Sequence, residues 1–214
     1  MEAYLDNSAT TRVDEQVQEL MKKLMDVDFG NPSSRHQKGV VAEGYIKEAR
    51  QKIAATLKVD PKELIITSGG TESNNMALIG TALAAKRKGN HIITTAVEHP
   101  SVKATASFLE EQGFRITFLS VDSRGQISLE DLKEALTPDT ILVSIMYVNN
   151  EIGTIQPVEE AAKLVHATVP GAVFHVDAIQ AYGKVMIRPK QQGIDLLSVS
   201  SHKFHGPKGA GFLY

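Results

Sequence analysis

The sequence predicts an α/β fold, a mainly parallel sheet flanked by helices, and three observations carry that prediction. Short apolar runs rich in β-branched residues alternate with longer stretches of helical period along the whole chain. Several helical stretches open on start signals: Ser101 after Pro100, Ser128 three residues before Asp131, and Pro157 at a first-turn position. The residues with chemical potential fall where strands run out into loops, which is where open α/β sheets hold their ligands.

In chain order, the expected helices are Val13 to Val27, Gly39 to Leu57, Glu72 to Lys88, Ser101 to Gln112, Leu129 to Leu136 and Val158 to Val169. The expected strands are Glu63 to Thr67, His91 to Val97, Arg115 to Val121, Ile141 to Val148, Val173 to Val176 and Leu196 to Val199. Gly211 to Tyr214 reads as the opening of a further strand, so the chain is expected to stop partway through its architecture. With 214 residues, 42% hydrophobic and 22% charged, the chain suits one substantial core rather than two. Its 23 Lys and Arg balance 25 Asp and Glu, and no block of like charge suggests a nucleic-acid or membrane surface. No apolar run is long enough to span a bilayer, and the amino end lacks the basic and apolar regions of a secretion signal, so a cytoplasmic protein is expected. Cysteine is absent, which excludes disulfides, thiolate metal sites and any cysteine nucleophile within these residues.

Lys203 follows an apolar strand and precedes a Gly/Pro-rich turn. An amine in a partly apolar pocket has a lowered pKa and can attack an aldehyde to form a Schiff base, although a lysine in that place can also be a plain surface residue. Asp177, at the end of Phe174-His175-Val176-Asp177, can pair with a cationic ring nitrogen or cap a helix beginning at Ala178. Ser68-Gly69-Gly70-Thr71-Glu72-Ser73-Asn74-Asn75 joins a strand to a helix, where glycines and free N-H groups suit an anion such as phosphate, or simply a capped tight turn. His99, after another strand, suits stacking on an aromatic ring, proton transfer or a structural place. His202 and His205 raise a metal reading, but no third ligand stands at convincing spacing, so no metal is expected.

These motifs in this order resemble the cysteine desulfurases of the nitrogen-fixation and iron-sulfur-cluster type, within the class V aminotransferase group of pyridoxal-phosphate enzymes. The resemblance runs from Tyr4-Leu5-Asp6-Asn7-Ser8-Ala9-Thr10-Thr11 through Gly30-Asn31-Pro32-Ser33-Ser34, Thr67 to Asn75, Glu98-His99 and Val148-Asn149-Asn150-Glu151-Ile152-Gly153. It continues to Val176-Asp177-Ala178 and Ser201-His202-Lys203 to Gly209. It implies a fold type I large domain over residues 1–214, with an N-terminal segment 1–60 and a cofactor-binding core 61–214.

By this resemblance Lys203 carries pyridoxal 5'-phosphate as a Schiff base and shuttles a proton, and Asp177 pairs with the pyridinium nitrogen. Gln180 and Asn150 would sit near the phenolic oxygen, and His99 would stack on the ring and assist proton transfer. Gly70 and Thr71, with Ser200 and His202, would hold the phosphate. The implied reaction converts L-cysteine to L-alanine and leaves a persulfide on the enzyme, supplying sulfur to an iron-sulfur scaffold or another acceptor, in a homodimer. Family members are nearly twice this length. The small domain, the persulfide-forming cysteine and the arginine that grips the substrate carboxylate are therefore expected to lie outside these residues. A non-catalytic cofactor-binding or desulfurase-pairing protein, a selenocysteine lyase and a small-molecule aminotransferase are the alternative readings.

Overall fold

The computed structural model describes residues 3–214. Two helices, α1 (Glu15–Asp26) and α2 (Gln37–Leu57), precede β1 (Ile65–Thr67), α3 (Gly70–Ala85), β2 (His91–Thr95), α4 (Pro100–Glu111) and β3 (Arg115–Leu119). There follow α5 (Leu129–Ala135), β4 (Thr140–Met146), α6 (Val158–Thr168), β5 (Val173–Asp177), α7 (Pro189–Gln192), β6 (Leu196–Ser200) and β7 (Gly211–Leu213). The seven strands form one sheet in the order β1-β7-β6-β5-β4-β2-β3. Strand β7 runs antiparallel to both β1 and β6, whereas the other pairings are parallel.

The apolar runs become strands covered on both faces. All seven residues of β4 are buried, as a central parallel strand requires. Because successive side chains point to opposite faces, Leu142 packs with Leu78 and Val102 from α3 and α4, while Val143 joins Val158 and Ala161 of α6. Two buried histidines interrupt this pattern and are satisfied across the sheet. The ring nitrogens of His91 lie 2.8 Å from the hydroxyls of Thr140 and Thr117, and those of His175 lie 2.8 Å from Ser144 and 2.9 Å from Ser198. Burial pushes His91 down to about 4 and His175 down to about 3, so both are held neutral.

The expected elements all form, with shifted ends. Helix α1 begins at Glu15 because the Asp14 carboxylate accepts from Gln16 N-H. Glu63, expected in a strand, belongs to a 3-10 turn over Pro61–Glu63, where it shares a capping box with Asp60. Ser101 does not start its helix: His99 is the cap, its side chain accepting from Ser101 N-H, and Pro100 takes the first position. Pro157 precedes α6 rather than opening it, whereas Ser128 caps α5 through Asp131 N-H as expected. Strands expected to reach Val121 and Val148 stop at Leu119 and Met146, since those valines pair locally, with Ile127 and Ile155, to close loops above the sheet. Helix α1 buries none of its residues, and Met25 and Val27 remain exposed. No helix among the described residues is long and apolar enough to cross a membrane.

Candidate active site

The parallel strands β1, β2, β4, β5 and β6 release their carboxyl ends on one side of the sheet, and a cavity of about 490 Å³ opens there. All nine residues singled out in the sequence, Gly70, Thr71, His99, Asn150, Asp177, Gln180, Ser200, His202 and Lys203, line it. They come from positions up to 133 residues apart, between Gly70 and Lys203, and the sheet gathers them because each stands at or after a strand end.

Asp177 ends β5 and is 4% exposed. One carboxylate oxygen accepts from the backbone N-H of Ile179 at 3.0 Å, and the other accepts from the side-chain amide of Asn74 at 2.8 Å. Asp177 lines the cavity, and its bond to Ile179 N-H closes a local turn; no α-helix begins at Ala178, so the expected helix cap is not formed. Burial raises the Asp177 pKa, with those two hydrogen bonds acting in the opposite direction. Lys203 ends a 3-10 turn over Ser201–Lys203, and its ammonium donates to the carbonyls of Ser8 at 2.5 Å and Ala9 at 2.9 Å. Burial lowers its pKa, and the charge of Lys184 adds to that effect.

Helix α3 starts beside these groups at Gly69 and Gly70. Gly69 has φ +146°, a conformation that other residues rarely adopt, and no side chain caps the helix. A Cβ on Gly70 would meet Ile179 Cδ1 at 2.0 Å, so a side chain at this turn would displace the end of Ile179 from the wall of the cavity. The first amides of α3 belong to the cavity-lining Gly70 and Thr71 and have neither intrahelical acceptors nor a side-chain cap. Ser200, buried, and His202 stand opposite Gly70 and Thr71 around a second recess of about 440 Å³ that also takes in Lys208. Burial, then Lys203 and Lys208, lower the His202 pKa.

Gln180 donates to the Ser8 carbonyl at 2.8 Å and accepts from Lys184 at 3.2 Å. Asn150 donates to Glu151 at 2.6 Å at the cavity rim. His202 and His205 face different partners, the Thr10 hydroxyl and the Arg12 carbonyl. Among the described residues no group of three or more His, Cys, Asp or Glu is placed to hold a metal ion.

Sequence reasoning missed five contributors. Asn74 carried no assigned role, yet it lies four residues after Gly70 on the same helix face, which is the signal that could have found it. Ser101 stands out in the sequence only as a helix start. The carbonyls of Ser8 and Ala9 meet Lys203 across 195 and 194 positions, a pairing without local signature. Glu98, one residue before the exposed His99, turns the other way and is 2% exposed. Its Oε1 accepts from the Thr95 hydroxyl at 2.9 Å and from Met146 N-H at 2.7 Å, while burial, helped by Asp177, pushes its pKa up to about 8.

Fold and site together define an α/β protein with an amine and a buried carboxylate facing one strand-end cavity beside an open helix terminus. The chain belongs to the aminotransferase class-V family, whose pattern matches residues 3–214. It is 51% identical over 213 residues to a cysteine desulfurase IscS of Dictyoglomus turgidum, covering 100% of this chain and 54% of that protein. It is 49% identical over 211 residues to a cysteine desulfurase IscS of Methanosarcina thermophila, covering 99% of this chain and 52% of that one. Among solved structures, a NifS-like protein superposes with a TM-score of 0.98 at 43% identity, over 100% of this chain and 59% of the other. SspA in complex with cysteine superposes with a TM-score of 0.95 at 41% identity, over 100% of this chain and 61% of the other. The chain thus spans about half the length of the curated relatives it matches.

Proposed function

We propose that the protein is a pyridoxal-phosphate-dependent cysteine desulfurase and that the strand-end cavity of residues 1–214, its large domain, is the cofactor site. The observation that carries this reading is the convergence of Lys203, Asp177 and the uncapped start of α3 on one cavity. The residues fit that cofactor: Asp177 is buried with only neutral donors on its oxygens, an arrangement a ring cation would complete, and the helix start offers free N-H groups to a phosphate. When bound, the cofactor supplies an electron sink for the substrate α-carbon.

The chain's own residues supply the rest. Asp177 holds the ring nitrogen protonated. Gly70 and Thr71 on one side, with Ser200 and His202 on the other, hold the phosphate. Gln180 and Asn150 would orient the ring at its phenolic edge, and His99 would cover one face. The lowered pKa of Lys203 lets its Nζ give up a proton and later return one to the substrate, after it leaves the carbonyls of Ser8 and Ala9. L-cysteine is the substrate this reading implies, and the likeness to SspA in complex with cysteine supports it. A thiol must then take the sulfur, and these 214 residues contain no cysteine, so the acceptor thiol comes from elsewhere in the assembly. We further propose a homodimer in the cytoplasm that passes sulfur to an iron-sulfur scaffold or another acceptor protein.

The test is borohydride reduction of the protein with pyridoxal 5'-phosphate, followed by peptide mass mapping. The expected result is a pyridoxyl group on Lys203 and none in Lys203→Ala. Labelling spread over several lysines, or unchanged in Lys203→Ala, would overturn the assignment.

A further inference from the structure

Four side chains at the cavity form one hydrogen-bonded chain whose donor directions are determined. Asn74 Nδ2 lies 2.8 Å from Asp177 Oδ2 and 3.0 Å from Ser101 Oγ. Ser101 Oγ lies 2.8 Å from His99 Nδ1, and the backbone N-H of Ser101 donates to that same nitrogen at 3.1 Å. An ionised Asp177 accepts only, so it fixes the Asn74 amide with its N-H groups toward Asp177 and Ser101. The buried Oδ1 of Asn74 accordingly has no partner among the described residues. The backbone N-H of Ser101 already makes His99 Nδ1 an acceptor, so the Ser101 hydroxyl, which accepts from Asn74, gives its one proton to that nitrogen. That nitrogen then faces two donors and carries no hydrogen.

We infer that Asn74 and Ser101 are positioning residues that set the tautomer of His99, relaying the charge of Asp177 so that the neutral imidazole keeps its proton on Nε2. Nδ1 is turned into the start of α4, and Nε2 has no partner within the described residues, leaving the ring with a donor to offer at the cavity it lines. Its catalytic use rests on the cofactor reading above. A neutral ring so held offers a hydrogen bond or a proton to a group on the cofactor or substrate, and it does not accept a proton at Nε2. Fixing a histidine tautomer through its other nitrogen is a general means of defining what the exposed nitrogen can do.

The relay is tested without cofactor, so its failure is separate from failure of the cofactor assignment, which is read by labelling of Lys203. The measurement is the 15N chemical shift of the two His99 ring nitrogens in histidine-labelled protein at a pH where the ring is neutral, with His99→Asn giving the assignment. The wild type is expected to show a pyridine-type Nδ1 and a pyrrole-type Nε2. Asn74→Ala and Ser101→Ala each should lower the ratio of Nε2-H to Nδ1-H several-fold, and Ser101→Thr, which keeps the hydroxyl, should restore it. Asp177→Asn, which removes the charge at the far end of the relay, should also lower it. A protonated Nδ1 in the wild type overturns the inference, as does a ratio unchanged in both Asn74→Ala and Ser101→Ala variants whose remaining spectra show them folded.

Discussion

Asn74 on α3 donates to the carboxylate of Asp177 at the end of β5, a 2.8 Å contact that joins residues 103 positions apart beneath the cavity. It supports a buried carboxylate whose hydrogen-bond donors among the described residues are all neutral, with the Lys203 charge acting on it only from across the cavity.

Asp177→Asn is expected to leave the stability of the cofactor-free protein within about 1 kcal/mol, because the amide avoids the desolvation that raises the carboxyl pKa but gives up one of the two acceptors that Asn74 and Ile179 use. The same change should shrink the rise in melting temperature that pyridoxal 5'-phosphate produces in the wild type. Thermal unfolding with and without cofactor reads both effects. An equal cofactor-induced shift in the two proteins would remove Asp177 from the cofactor's ring nitrogen.

Glu98 predicts a pH dependence. Its folded pKa of about 8 stands above the ordinary 4.5, so the native state holds a proton that the unfolded chain releases between those values. The stability this confers is complete below about 4.5 and lost as the pH rises through about 8. His91 and His175 act with the opposite sign: their lowered values remove stability as the pH falls from 6.5 toward about 4 and about 3. Glu98→Gln should flatten the alkaline limb of urea stability measured from pH 5 to pH 9 and leave the acid limb in place. An alkaline limb as steep as that of the wild type would mean the buried carboxyl ionises without penalty.

Gly211→Ala tests the support of the helix start. A Cβ there would lie 2.5 Å from the Val199 carbonyl oxygen and 2.7 Å from Gly69 Cα, both backbone atoms that cannot turn aside. A loss of about 1–3 kcal/mol is expected from the overpacking. Because Gly69 must move, cofactor affinity should fall as well. Wild-type affinity in a folded variant would show that the Gly69–Gly70 turn does not contact the phosphate.

The 214-residue chain alone should release no sulfide from L-cysteine beyond the background of free cofactor, since persulfide formation needs a thiolate and the chain has none. A sulfide and alanine assay, run beside Lys203→Ala and beside free pyridoxal 5'-phosphate, checks this. Enzyme-level alanine that depends on Lys203 would show that an added reductant thiol takes the sulfur.

The sequence by itself determined the α/β class, the alternation of strands and helices, and nine of the residues that line the cavity. Those features are written locally: β-branched runs such as Ile141 to Met146 suit only buried strands, and glycines 69 and 70 mark a turn that few other residues could make. Resemblance to a family assigned roles to residues that chemistry alone left ambiguous, Asp177 and His99 among them. The tertiary structure decided which groups meet. Strand β7, visible only as Gly211 to Tyr214, runs antiparallel between β1 and β6, a place set by pairing with strands far off in sequence. Asn74, Ser101 and Glu98 acquired meaning only once α3, α4 and β4 were packed together, and Ser8 only once the amino-terminal segment lay against Lys203. Hydrogen-bond partners separated by a hundred residues leave no periodicity in the chain, because their distance is fixed by the sheet that brings the strand ends to one edge.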